Sequence, residues 1–196
     1  REVINAKNLE VNCSKSLSKL IKNTPNWNLL IKLGNIKINE LENSKSYTPS
    51  PKCGFTIKPI KVPHRSELSD MHAFLIQGPN KNLLFLPDHD SWEKTLEFVN
   101  KTEILEWLNS EKVDVALIDG TFWSSDELKK RNQTIVAHPP VNETLKLIGE
   151  KKDGMPEIKF THLNHTNPLN NESSDENKIL KNMGWNVSKE GEFFNL

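Results

Sequence analysis

The side chains best suited to chemistry in this sequence come at the ends of four predicted β-strands. They are His64, Asp88, Asp90, Asp119, His162 and His165. In open α/β sheets, ligands bind beyond strand ends, where a side chain is free from packing but still held by a rigid element. Imidazole nitrogens and carboxylate oxygens are donors that zinc, iron and manganese accept. The pattern therefore predicts a metal site.

Such a site would also supply chemistry. A carboxylate can bridge two ions, and a metal pair lowers the pKa of a bound water towards neutrality, which generates a nucleophile. Each residue alone has a simpler explanation, since a strand-terminal histidine often bonds to backbone and an aspartate after proline often caps a turn. Four apolar strands that each finish in His or Asp favour a site over four coincidences.

These strands alternate with helices along the chain. Hydrophobic periodicity predicts strands at 9–12, 55–62, 73–78, 82–87, 113–119 and 157–162. It predicts helices from Ser14, over 101–112, from Ser124 (with a capping signature at Glu127), over 141–152 and over 175–185. The segment 28–41 is predicted as strand, turn and strand, and 185–196 as a small hairpin around Gly191. Interleaved helices and buried strands indicate an α/β layered domain.

Composition limits the classes of function. With 196 residues the chain fits one domain, residues 1–196. Lys and Arg number 26, as do Asp and Glu, so the zero net charge gives no electrostatic case for nucleic acid or an anionic membrane. No apolar run is long enough to span a bilayer. Cys13 and Cys53 fit neither a zinc ribbon nor a disulfide framework, which favours a cytoplasmic protein, while an export signal upstream of Arg1 stays open as the alternative.

Four strings, VPHR, LPDHDSW, LIDGTFW and FTHLNHTNPL, occur in this order between residues 62 and 169. Through them the sequence resembles the metallo-β-lactamase-fold superfamily, and more closely coenzyme PQQ synthesis protein B and its relatives, from about residue 10 onwards. The resemblance implies an αββα sandwich, zinc or iron as the metal, and a metal-dependent hydrolase or oxidoreductase. The implied substrate is a small or peptide-derived molecule, in the case of that family a tyrosine precursor of pyrroloquinoline quinone.

The resemblance also implies metal ligands. The superfamily builds a dinuclear site from a His-x-His-x-Asp-His motif, a later His, a bridging Asp and a final His. His64 would be the later His, Asp88 the bridging carboxylate and His162 the final His. His165 would lie beside the ligands or face the substrate.

Two further residues match positions of the tRNA-processing relatives, the ribonuclease Z enzymes. Asp119 falls where those enzymes carry a glutamate, and His138 resembles a histidine that they keep near the substrate phosphate. The resemblance implies substrate contact or proton transfer for both, although His138 could equally be an ordinary loop histidine between prolines. Surface or packing roles are expected for His72 and His89. Core positions beside the site are expected for the aromatic residues Trp92, Phe122 and Trp123.

No His-x-His-x-Asp-His motif occurs in these 196 residues. Since the superfamily places that motif upstream of the region matched here, we expect Arg1 to be a truncation point. Each ion would then keep only two of the implied ligands, so we expect the chain by itself to bind metal weakly or not at all, and to be inactive.

Two alternatives to the enzyme resembling coenzyme PQQ synthesis protein B stay open. One is a phosphodiesterase of the ribonuclease Z or phosphonate-pathway type, which Asp119 and His138 favour and the zero net charge disfavours. The other is a non-catalytic binding or carrier module that keeps the fold. An intact upstream motif would favour an enzyme, and a broken one the binding module. The sequence gives no indication of the oligomeric state.

Overall fold

The structure is a computed structural model that describes residues 6–127 and 137–196. The strands are Leu9–Ser14 (β1), Ile36–Leu41 (β2), Thr56–Val62 (β3), Met71–Gln77 (β4), Asn82–Leu86 (β5), Val115–Asp119 (β6), Glu157–Thr161 (β7) and Asn186–Val187 (β8). The α-helices are Lys15–Asn23 (α1), Pro25–Lys32 (α2), Trp92–Phe98 (α3), Ile104–Ser110 (α4), Val141–Ile148 (α5) and Asp175–Asn182 (α6). A 3₁₀ turn covers Pro168–Asn170.

Six strands form one sheet in the order β3-β4-β5-β6-β7-β8. β4 is antiparallel to both β3 and β5, whereas β5, β6, β7 and β8 are parallel to one another. β3, β5, β6 and β7 therefore point the same way, and their carboxyl ends lie along one edge of the sheet. β1 and β2 pair in parallel in a separate two-stranded sheet.

One face of the six-stranded sheet is buried beneath helices. Alternate strand residues enter this core, as Leu84 and Leu86 do in β5 and Ala116 and Ile118 do in β6, in accordance with the two-residue period of a strand. They pack against helical side chains such as Trp107 of α4. This packing fixes the strands relative to one another and thereby fixes the strand ends that carry the polar residues.

The opposite face of the sheet carries Phe74 and Phe85, which pair across β4 and β5 and remain more than a third exposed. The unit formed by β1, α1 and β2 is joined to the large sheet through Asp70. Its carboxylate accepts hydrogen bonds from the hydroxyls of Ser14 and Ser16. The α/β class predicted from the sequence is confirmed.

The strand predicted at the start of 28–41 is wrong, because Pro25–Lys32 forms helix α2. Proline favours the first position of a helix for two reasons. Its ring fixes φ at a helical value, and the N–H that it lacks would have no partner within the helix at that position. A short apolar run such as residues 29–31 fits a helix or a strand equally, and periodicity alone does not separate them. The second half of the segment is a strand, β2, as predicted.

The prediction of a small hairpin at 185–196 is also wrong. Asn186–Val187 pairs in parallel with β7, through Lys159↔Asn186 and Phe160↔Val187, because the chain arrives there from α6 as a crossover. Helix α3 was not predicted, and the helix predicted from Ser124 lies mostly outside the described residues. None of the helices in residues 6–127 and 137–196 has the length and apolar composition that a bilayer crossing requires.

Candidate metal centre

The aligned carboxyl ends of β3, β5, β6 and β7 bring the predicted residues together. His64 and Asp88 each follow their strand by two residues, Asp119 is the last residue of β6, and His162 is the first residue after β7. The loops after β3 and β5 are tied by a hydrogen bond from the Asp90 N–H to the Pro63 carbonyl, 2.8 Å.

Asp88 lies among three imidazoles. One carboxylate oxygen, Oδ1, is 3.8 Å from Nε2 of His64, 3.7 Å from Nδ1 of His138 and 3.7 Å from Nδ1 of His162. These are the shortest approaches between the groups and are too long for strong hydrogen bonds. The three histidines and one carboxylate thus face a common space without closing on each other.

His138 enters this cluster from the segment before α5. The Val141 N–H donates to the Phe122 carbonyl at 2.9 Å, which fixes that segment against the end of β6. The ring centroid of His138 lies 5.2 Å from that of His64 and 5.9 Å from that of His162. His138, for which the sequence allowed a plain loop role, is therefore the central histidine of the cluster.

Asp119 is completely buried and every contact of its carboxylate is with a donor. Oδ1 accepts from the Thr121 N–H at 2.9 Å and from the Thr121 hydroxyl at 2.7 Å, and Oδ2 lies 2.7 Å from Nδ1 of His138. Gly120 allows this turn, because a Cβ there would lie 2.9 Å from Cβ of Phe160. These contacts use three of the roughly four lone pairs of the carboxylate and place its Oδ2 against the ring of His138.

The loop after β7 holds His162 in an unusual backbone conformation, φ +61°. A non-glycine residue in the left-handed region costs energy and persists where surrounding contacts impose it, often at functional sites. Here Asn167, almost fully buried, donates from Nδ2 to the Gly120 carbonyl at 2.7 Å. The Asn164 N–H donates to the Thr121 carbonyl at 3.0 Å. These bonds hold the loops after β6 and β7 together.

His165 does not join the cluster. Its side chain is exposed, and its Nδ1 lies 3.1 Å from the Asn164 side-chain oxygen. Among the described residues, the groups able to hold an ion do not include it. A contact with substrate stays a prediction for His165.

Three residues near the site make contacts that the sequence did not predict. The Thr121 hydroxyl lies within hydrogen-bonding distance of Nδ1 in both His138 and His162, and Asp90 Oδ1 is 3.4 Å from Nδ1 of His64. His89 is fully buried, with Nδ1 2.8 Å from the Thr95 hydroxyl, and burial lowers its pKa to about 4. Asp90 was already among the candidate donors and His89 was expected at the surface or in packing, so Thr121 is the residue that was missed, and its position inside LIDGTFW is the signal that could have found it.

The remaining aromatic and histidine predictions concern packing. Trp92 and Phe122 are buried, Trp123 packs against the core, and Trp92 donates from Nε1 to the Thr144 hydroxyl at 2.8 Å. His72 lies away from the cluster, 3.9 Å from Asp70, and burial lowers its pKa.

The donor set fits a divalent transition metal. His64, Asp88 and His138 each offer one ligand atom, and these atoms lie within 4.8 Å of one another, as do those of Asp119, His138 and His162. Ligands bonded at about 2.0–2.2 Å to a tetrahedral ion are roughly 3.3–3.6 Å apart, so side-chain shifts of about 1 Å would close the first group around an ion. His138 belongs to both groups, and its Nδ1 lies 2.7 Å from Oδ2 of Asp119.

Comparisons with known proteins identify the family and the fold. Residues 1–162 match the family described as beta-lactamase superfamily domain. The chain is 26% identical over 166 residues to coenzyme PQQ synthesis protein B of Xanthomonas axonopodis pv. citri (strain 306), which covers 74% of this chain and 52% of that protein. The chain thus spans about half the length of this relative.

Solved structures share the fold. Zn(2+)-bound PqqB from Methylobacterium extorquens superposes with a TM-score of 0.68 at 17% identity, over 96% of this chain and 65% of that one. A diphosphatase from the PhnP family gives a TM-score of 0.54 at 12% identity, over 93% and 56%. By its sequence match and its arrangement of sheets and helices, this chain belongs to the beta-lactamase superfamily domain family, with a metallo-β-lactamase fold similar to that of coenzyme PQQ synthesis protein B.

Proposed function

We propose that this chain is part of a metal-dependent hydrolase or oxidoreductase that resembles coenzyme PQQ synthesis protein B. The observation that carries the proposal is the convergence of His64, His138 and His162 on Asp88 at one edge of the sheet. Zinc or iron suits these donors, and a structural neighbour is named as zinc-bound. His64, Asp88 and His162 are the proposed ligands, and His138 is the proposed proton-transfer residue beside them.

A bound ion would supply Lewis acidity, which activates water and polarises a substrate oxygen. The protein's own contribution comes from the pair formed by His138 and Asp119. Because Nδ1 of His138 donates to the buried carboxylate, its Nε2 is the nitrogen left to exchange a proton with substrate, and Asp119 holds the ring in that orientation. This pair would serve either hydrolysis or proton transfer at a carbon centre.

The proposed substrate is a small or peptide-derived molecule, by analogy with the synthesis of pyrroloquinoline quinone. The zero net charge of the chain is consistent with such a substrate and gives no electrostatic case for a polyanion such as tRNA. Since the chain spans about half of its curated relative, this activity is proposed for the whole protein. The chain by itself is expected to be inactive and to bind metal weakly.

A phosphodiesterase is the second candidate. The contact of 2.7 Å between His138 and Asp119 favours it, since a histidine held by a carboxylate can donate a proton to a leaving alkoxide. The fold similarity to a diphosphatase supports it at the level of fold only. Hydrolysis of a bis(p-nitrophenyl) phosphate ester by the complete, metal-loaded protein, abolished in His138→Ala, would favour this candidate.

Metal uptake tests the proposal directly. Zinc and iron content would be measured in the complete protein after purification and after reloading with metal. The proteins compared are the wild type and the variants His64→Ala and Asp88→Ala. We expect both variants to lose most of the bound metal, because each removes a donor from the group. His72→Gln is the matched control, since His72 lies outside the cluster, and it should retain the wild-type content. Equal metal content in all four proteins, or no uptake by the complete wild type, would contradict the proposal and favour the non-catalytic module.

A further inference from the structure

The hydroxyl of Thr121 lies between three side chains of the site. Its Oγ1 is 2.7 Å from Oδ1 of Asp119, 2.9 Å from Nδ1 of His162 and 3.1 Å from Nδ1 of His138. All three distances are within hydrogen-bonding range. The function proposed above gives Thr121 no role, so the question is which partner donates in each bond.

The number of hydrogens that each group can donate decides which partner is the donor. A threonine hydroxyl has one hydrogen to donate and two lone pairs to accept with, and an ionised carboxylate only accepts. The single hydrogen therefore goes to Asp119, in a charge-assisted bond that is stronger than one to a neutral ring. Only lone pairs of Thr121 remain for the histidines.

His162 must consequently be the donor in its contact with Thr121. A ring nitrogen 2.9 Å from an oxygen that offers only a lone pair has to carry the hydrogen itself. Nδ1 of neutral His162 is then N–H, and Nε2 has the free lone pair. Nδ1 of His138 must also carry a hydrogen, because its partner at 2.7 Å is the carboxylate of Asp119, which can only accept.

The position of the hydroxyl is fixed by the backbone of Thr121. Its N–H donates to Asp119, and its carbonyl accepts from the Asn164 N–H and from Nδ2 of Asn167. The residue is 7% exposed, so water does not compete freely for the hydroxyl. The contact with His162 is therefore set by the joined loops after β6 and β7.

We propose that Thr121 is a positioning residue that holds His162 in the Nδ1–H tautomer and so makes Nε2 its metal-binding atom. The second half of this statement rests on the metal site proposed above. In the structure Nδ1 is the nitrogen nearest to Asp88, and using it as a ligand would require giving up the bond to Thr121. Binding through Nε2 would leave that bond in place.

The tautomer can be measured without metal. Long-range ¹⁵N–¹H correlation spectra of the metal-free protein distinguish Nδ1–H from Nε2–H, and the His162→Gln variant identifies the resonances among the six histidines. We expect His162 to be Nδ1–H in the wild type and in Thr121→Ser, which keeps the hydroxyl. In Thr121→Val, which is nearly isosteric but lacks it, both tautomers should be populated. An Nε2–H tautomer of His162 in the wild type would overturn the proposal.

Zinc affinity provides the second measurement, by competition with a chromophoric chelator in the complete protein. Removing a group that orients a metal-binding histidine typically weakens metal binding about 10- to 100-fold, so Thr121→Val should fall in that range and Thr121→Ser should stay near wild type. Thr102→Val, at an exposed threonine, is the control. If Thr121→Val folds with unchanged tautomer and affinity, the proposal fails. If it does not fold, the wild-type tautomer and the serine variant decide.

The two proposals fail separately. A complete wild-type protein that takes up no zinc would refute the metal centre, whereas the tautomer of His162 would still support or refute the role of Thr121.

Discussion

Replacing Asp119 by asparagine removes one charge and one acceptor and leaves the size of the side chain unchanged. The carboxylate receives two bonds from Thr121 on Oδ1 and one from His138 on Oδ2, and it is completely buried. An asparagine keeps both Thr121 bonds if its carbonyl oxygen takes the place of Oδ1. Its amide then faces Nδ1 of His138, so two N–H donors oppose each other.

The magnitude follows from this count. One hydrogen bond to a charged group is lost, which contributes about 1.5–3 kcal/mol. His138 can relieve the clash by moving its hydrogen to Nε2, but it then loses the tautomer proposed for proton exchange. For a chain of this size, each kcal/mol changes Tm by about 2–4 °C, so the variant should melt about 3–12 °C below wild type.

The assay is reversible denaturant unfolding, with near-ultraviolet circular dichroism to check tertiary structure. Asp175→Asn is the control, because Asp175 is largely exposed and should shift the free energy of unfolding by no more than about 0.5 kcal/mol. An Asp119→Asn variant as stable as wild type would refute the view that this carboxylate is held by three donors. A more stable variant would mean that the desolvation of the buried Asp119 carboxylate is more unfavourable than its hydrogen bonds are favourable.

Three further predictions concern the same sheet edge. Isothermal titration of this chain should show at most one zinc per chain, bound weakly, because the three proposed ligands, His64, Asp88 and His162, are too few to complete two ions. Gly120→Ala should lose about 1–3 kcal/mol of stability, since the added methyl would lie 2.9 Å from Cβ of Phe160. Burial lowers the pKa of His89 to about 4 in the folded protein, whereas in the unfolded chain the pKa is about 6.5. Between these pH values the unfolded state binds a proton at His89 and the folded state does not. The free energy of unfolding should therefore fall by up to about 3 kcal/mol as pH drops from 6.5 to 4. That pH dependence should be reduced in His89→Leu.

Each of these has an outcome that contradicts it. Tight uptake of two zinc ions would show that the described donors suffice for a dinuclear centre. Unchanged stability of Gly120→Ala would mean that β7 can shift away from the turn at little cost. An identical pH dependence in wild type and His89→Leu would assign the acid sensitivity to other groups.

The fold was predictable where local signals were unambiguous. Ser14 caps α1 as expected, since its hydroxyl accepts from the Leu17 N–H, and VDVALID forms the buried strand β6. Predictions failed where short segments fit two structures. The run at 29–31 became part of a helix, and the tail became a parallel edge strand because α6 returns it to β7.

The site was predictable as a set of strand ends but not as a network. His64, Asp88 and His162 were singled out by residue type and position, and the structure brings them together, although their roles as ligands are still predictions. The contact between Asp119 and His138 joins residues 19 apart, and no local rule predicts it. Thr121 looked like one polar residue in a turn.

The sequence by itself determined the α/β class and the types of donor side chain at the strand ends, because hydrophobic period and residue type are local properties of the chain. Only the tertiary structure decided which of these side chains lie close enough to share a hydrogen bond. Those contacts depend on distances of 2.9–3.8 Å between residues that follow separate strands, such as Asp88, Thr121 and His162. Such distances are set by how the common core aligns the strand ends, and a change of 1 Å turns a hydrogen bond into an open contact.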